Sequence, residues 1–160
     1  MGDLTLIRSM PRQHEGMDCL VHVRLQADRA TLAKRRWRGT AADGREFGFD
    51  LEEPFGPGVF FHYENDTSYV LVQSPEEVLE VPVGSIEEAA RVGWNLGNLH
   101  FGVQVLPTSV RVTEDPAVLQ FLTREKIAFR KVNCVFLPIS TGGHHHHPSD
   151  STHDHSHHHG

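Results

Sequence analysis

Cysteine is scarce in this chain of 160 residues. The two present, Cys19 and Cys134, lie far apart and form no Cys-x-x-Cys pair, which argues against a disulfide scaffold or a thiolate metal cage and makes each a small core residue. Long apolar runs are missing too. No stretch approaches the roughly 20 residues that span a bilayer, and the opening residues 1–13 lack an apolar run of signal-peptide length. A soluble, cytoplasmic protein without membrane contact is expected. Basic charge is also in short supply: Lys and Arg total 15 against 21 Asp and Glu, a formal net charge of −6. Nucleic acid is therefore not an expected partner, because phosphate neutralisation needs clustered cations. The short stretch Lys34-Arg35-Arg36-Trp37-Arg38 reads as a solvated strand face. No His-Glu-x-x-His or comparable three-ligand set with a general base occurs, which leaves a metal-dependent hydrolase unsupported and no catalytic residue to nominate. The carboxylate pairs Glu76-Glu77 and Glu87-Glu88 suit solvation and helix-dipole roles.

What is present is enough apolar material, 38% of residues, for one ordinary domain or two small ones. The first half reads as β-rich. Leu4 to Ile7 is a short apolar strand, and Cys19 to Leu25 alternates, with Val21, Val23 and Leu25 on one face against His22 and Arg24. Asp43-Gly44 marks a hairpin between Leu32–Thr40 and Glu46–Leu51, since a tight turn demands positive φ. Val59–Tyr63 and Tyr69–Gln73 form two further strands, and no helical periodicity is seen before about residue 75. Beyond it, Val78–Val83 is strand-like and Ser85-Ile86-Glu87-Glu88 is a capping box opening a helix that Gly97 is placed to end. Strands at Val103–Val105 and Val110–Val112 follow. Asp115-Pro116 starts a second helix, and Ile127–Leu137 returns as a strand. The order is β-α-β-β-α-β, the ferredoxin-like arrangement. An α+β chain of two domains is predicted: a β-rich partner- or peptide-binding-like domain over 1–74, a ferredoxin-like metal-binding and dimerisation domain over 75–141, and a His-rich tail over 142–160. From Thr141 onward no apolar residue occurs, so that tail is expected to be disordered without ligand.

Thirteen histidines are present, and all but His14, His22, His62 and His100 lie in that tail. They are His144, His145, His146, His147, His153, His155, His157, His158 and His159. An engineered affinity handle is usually one unbroken run. This tract is interrupted and mixed with Asp, Ser and Pro, the composition of a natural metal-binding segment. Neutral imidazole suits nickel, zinc and copper, so Ni²⁺ is expected to bind, with Zn²⁺ or Cu²⁺ as competitors, and acid to release them. His100, in the loop after the first long helix, is a poor metal site alone and then reads as a structural histidine. A two-fold axis near this loop would bring two copies together. His22 and His62 read as sheet residues, and Trp94 and Phe101 as core or interface material.

Leu96-Gly97-Asn98-Leu99-His100-Phe101-Gly102-Val103-Gln104 resembles the L-G-N-R-H-x-x-x-Q signature of the urease accessory protein E family. Pro75-Glu76-Glu77-Val78-Leu79-Glu80-Val81, the Asp43-Gly44-Arg45-Glu46 hairpin and the His-rich C-terminus extend the resemblance over nearly the whole chain. It implies a homodimeric nickel metallochaperone that serves urease maturation together with the urease apoprotein and other accessory proteins, including a GTPase. It also implies that His100 binds metal at the dimer interface with its symmetry mate and tail histidines. Leu99 replaces the signature arginine, and Thr113, Glu114 and Asp115 stand where some members carry further histidines. The alternative function is a nickel or zinc buffer or storage protein without a delivery role.

Overall fold

The structure is a computed structural model and describes residues 4–11 and 21–139. Alternating and aromatic-rich segments in its first half form six strands: β1 (Thr5–Ile7), β2 (Val21–Ala27), β3 (Arg36–Thr40), β4 (Glu46–Asp50), β5 (Phe60–Glu64) and β6 (Thr67–Gln73). They build two three-stranded sheets, ordered β1-β4-β3 and β2-β6-β5. The β3–β4 and β5–β6 pairs are antiparallel, whereas β1 runs parallel to β4 and β2 parallel to β6. The Asp43-Gly44 turn forms as expected: Gly44 has φ of +89°, and the Asp43 carboxylate accepts the Arg45 N–H at 3.1 Å. Inward residues meet in one cluster that includes Leu25, Phe47, Phe49, Phe61, Tyr69 and Leu71. Each fully buried side chain of this size contributes about 1.5–3 kcal/mol. Trp37 stacks on Phe49 at 4.1 Å.

Two expectations fail in this half. Residues Arg29–Leu32 form a one-turn helix, α1, where no helix was expected. Four residues are too few to show periodicity, and the turn is set by Asp28, which accepts from Thr31 N at 2.7 Å and Thr31 Oγ1 at 2.9 Å. Val21, expected on the inner face of β2, is half exposed because it opens the strand, beyond the edge of the core.

The second half contains β7 (Glu76–Pro82), α2 (Ile86–Asn98), β8 (Val103–Leu106), β9 (Ser109–Thr113), α3 (Pro116–Arg124) and β10 (Arg130–Cys134). Its four strands form one antiparallel sheet ordered β10-β7-β9-β8. The chain is thus mixed α+β, with strands outnumbering helices among the described residues. Leu79, Val81, Val110 and Val112 from the sheet share a core with Val92 and Leu96 of α2 and Val118, Phe121 and Leu122 of α3. On the alternate positions of β7, Glu80 is only 4% exposed. Its carboxylate accepts from Arg111 Nε at 2.7 Å and Arg130 Nε at 2.9 Å. These hydrogen-bonded cations hold its pKa below the ordinary carboxylate value.

Both long helices start where the caps predict. Asp115 accepts from Ala117 N at 2.8 Å with proline following it. Ser85 Oγ accepts from Glu88 N at 3.1 Å, but the return bond of the capping box is displaced by one residue: Glu88 accepts from Gly84 N at 2.8 Å. The C-terminus of α2 departs from expectation. Gly97 stays inside the helix, Leu99 is the cap residue, and the residue that turns left-handed is His100, with φ of +64°.

Candidate metal centre

The end of α2 is built by two backbone hydrogen bonds that reverse the chain. His100 N donates to Gly97 O at 2.9 Å and Phe101 N to Leu96 O at 3.4 Å, the paired 5→2 and 6→1 bonds of a Schellman motif with His100 at its C′ position. Its customary hydrophobic clasp is present, because Leu96 is buried and Phe101 packs against the same core. Glycine is the usual C′ residue, since a Cβ in the left-handed region costs about 1–2 kcal/mol. A non-glycine residue there is uncommon, but α3 ends in the same way: Lys126 has φ of +55°, with Lys126 N donating to Thr123 O at 3.2 Å and Ile127 N to Leu122 O at 2.9 Å. The conformation puts the imidazole of His100 on the exposed surface, where its nitrogens can meet a partner.

The surroundings of this loop are sparse. Among the described residues, no group of three or more His, Cys, Asp or Glu side chains is placed to hold a metal ion. Any cation bound by His100 therefore needs donors from elsewhere. Trp94 is 72% exposed. At 3.6 residues per turn it lies about 160° around α2 from the buried Val92 and Leu96, so it is not core material. Phe101, half buried, is.

The other histidines divide clearly. His22 Nδ1 shares a 2.6 Å hydrogen bond with Ser68 Oγ, and its ring meets Phe60 edge-on. His62 packs between Phe47 and Tyr69. Its burial, reinforced by the Arg45 charge, pushes its pKa below the ordinary imidazole value. Both are sheet residues. His14, Cys19 and the tail positions His144, His145, His146, His147, His153, His155, His157, His158 and His159 lie outside the described residues.

The strand expected over Ile127–Leu137 is shorter: β10 covers Arg130–Cys134, because the chain beyond it turns away to cross the sheet. Residues 135–139 leave that strand at one edge of the sheet and reach β8 at the other. There Ile139 N donates to Val103 O at 2.7 Å, and Leu137 N donates to the side-chain oxygen of Gln104 at 3.3 Å. Ile139, the last described residue, thus lies beside the strand that begins three residues after His100.

A family described as the UreE urease accessory protein, C-terminal domain, matches residues 76–160, more than half of the chain and all of the four-stranded sheet. The chain belongs to this family. Among similar proteins, the urease accessory protein UreE of Beijerinckia indica is 28% identical over 125 residues, covering 77% of this chain and 71% of that protein. UreE of Ralstonia nicotianae is 32% identical over 126 residues, covering 75% and 59%. UreE of Bifidobacterium longum subsp. infantis is 31% identical over 96 residues, covering 60% of this chain and 42% of the relative. Membership of a urease accessory family implies a part in urease maturation. Among the described residues, no helix is long and apolar enough to cross a membrane.

Proposed function

We propose that the chain is a non-enzymatic, cytoplasmic nickel metallochaperone whose cargo is Ni²⁺, captured at His100 and delivered to the urease activation complex. The working form is a homodimer in which two His100 imidazoles share one ion, and the tail histidines complete and exchange its ligands. Zn²⁺ and Cu²⁺ compete for the same donors. The partners are the urease apoprotein and the other accessory proteins, including the GTPase. Residues 1–74 form the partner-binding domain and 75–141 a ferredoxin-like metal-binding domain, in keeping with two hydrophobic clusters that share no residue. Exposed Trp94 on the outer side of α2 supplies apolar area for pairing.

The observation that carries this reading is the pairing of Ile139 with Val103, which supports a tail that starts within reach of His100. Three residues and one hydrogen-bonded strand step separate His100 from Ile139, a span of at most about 15 Å. His144 follows Ile139 by five residues and His147 by eight. Flexible segments of those lengths span about 12 and 16 Å, whereas the group from His153 to His159 spans about 21–25 Å. Effective concentration peaks when linker length matches the gap, so the first four tail histidines are the favoured partners of His100.

The test is a titration with Ni²⁺, read by native mass spectrometry, of the full chain and of a full-length variant with serine at the nine tail positions. The variant should keep about one ion per dimer, and His100→Ala should remove it. Loss of every ion through the tail changes alone would contradict the proposal. A deletion strain with normal urease at limiting nickel would favour storage without delivery.

A further inference from the structure

The crossing segment 135–139 is pinned along its length. Phe136 O accepts from the buried Gln73 side chain at 2.7 Å, and the Arg29 guanidinium lies 5.2 Å over the Phe136 ring. Past that anchor, Leu137 N is held by the Gln104 side chain and Ile139 N by Val103 O. Between them Pro138 lies so close to Gly102 that a Cβ at position 102 would sit 3.0 Å from the proline Cβ. The residues that receive the segment, 102–104, are thus the ones that directly follow His100 and Phe101.

We infer that Gln104, aided by the bare backbone of Gly102, is a positioning residue for cargo binding: it fastens the root of the histidine tail beside His100. The inference rests on the metal-carrier reading above. Gln104 touches no cargo. Its side-chain oxygen accepts a main-chain N–H from the tail root and so holds the tail's fixed point at Ile139. If that grip opens, the last firm anchor retreats to Phe136, three residues back. The arm leading to His144 then grows from five residues to eight. Eight residues span about 16 Å, which would still match the original gap, so the loss comes from the shifted origin. That origin moves back towards the opposite edge of the sheet, and the expected loss is about two- to fivefold.

The test is a cycle in the full-length protein, with Ni²⁺ as the probe. Gln104→Leu, and separately Gly102→Ala, should weaken the His100 site about two- to fivefold when the tail histidines are present. Neither should weaken it when those nine positions are serine. Gln104→Glu, which keeps an acceptor, should restore most of the loss. Without metal, Gln104→Leu should speed amide exchange at Leu137 and Ile139. An equal loss in both tail backgrounds, or none in either, would overturn the inference even if His100 is the metal ligand. Retention of the ion by His100→Ala with serine throughout the tail would instead overturn the metal-carrier reading itself.

Discussion

Replacing His100 by glycine should make the protein more stable and, on the proposed metal-carrier reading, abolish the cargo site. The left-handed conformation, φ of +64°, costs an L-residue about 1–2 kcal/mol. Glycine escapes that cost but loses about 0.5–1 kcal/mol more chain entropy on folding. The net gain is about 0.5–1 kcal/mol, or about 1–4 °C in Tm for a chain of this size. His100→Ala is the control: it loses the imidazole yet keeps a Cβ in the same conformation, and it should gain nothing. Thermal and urea unfolding of the three proteins in chelator, where bound metal cannot stabilise the folded form, gives the comparison. A His100→Gly protein no more stable than His100→Ala would refute the reasoning, since the left-handed turn would then carry no strain. With the proposed role of His100, the expected result would be an exchange in which a residue kept for function sits where another would stabilise the fold better.

Three further outcomes are expected. His62 has a lowered pKa in the folded state, so the unfolded chain takes up its proton first as pH falls. The associated stability is full above the unfolded value of about 6.5 and declines towards the lower folded value. His62→Phe should flatten that part of a urea-midpoint-against-pH curve, and an unchanged slope would exclude His62 as its source. Glu80→Gln should cost about 2–3 kcal/mol near pH 7, below the usual range for a broken buried pair because Arg130 is largely exposed. Since the folded pKa of Glu80 is depressed, the loss should shrink as pH falls through that value; a pH-independent deficit in chemical unfolding would argue against an ionic cause. On the proposed homodimer, Trp94→Ala should leave the stability of the separate subunit within about 0.5 kcal/mol while weakening self-association in sedimentation, and unaltered association would exclude Trp94 from the proposed interface.

The local signals in the sequence translated well into structure. The Asp43-Gly44 turn, the Ser85 and Asp115 caps and the alternation of Val23, Arg24 and Leu25 all act within a few residues, and such devices are read directly from spacing. The parallel pairing of β1 with β4 and of β2 with β6 joins segments about 40 residues apart, and no local pattern encodes it. Gly97 misled for a related reason. A glycine within a helix costs only about 1 kcal/mol, and burial of Leu96 against the sheet outweighs it, so α2 runs past the glycine to Asn98. His100 stood out by residue type, yet its left-handed backbone was hidden because the motif stops the helix at a histidine. The positions of Gln104 and Gly102 relative to the tail depend on a crossing of the whole sheet, which only the fold reveals.

The departure point of the chain beside Val103 also bears on how the protein is purified. A polyhistidine extension added after Gly160 would lengthen the histidine-rich tract from the same fixed point, and on the proposed reading its extra imidazoles would compete for the cargo of His100. Stoichiometries measured on protein carrying such an extension would count ions on the handle along with any on the chain's own histidines. A cleavable, histidine-free handle at the opposite terminus keeps the two apart.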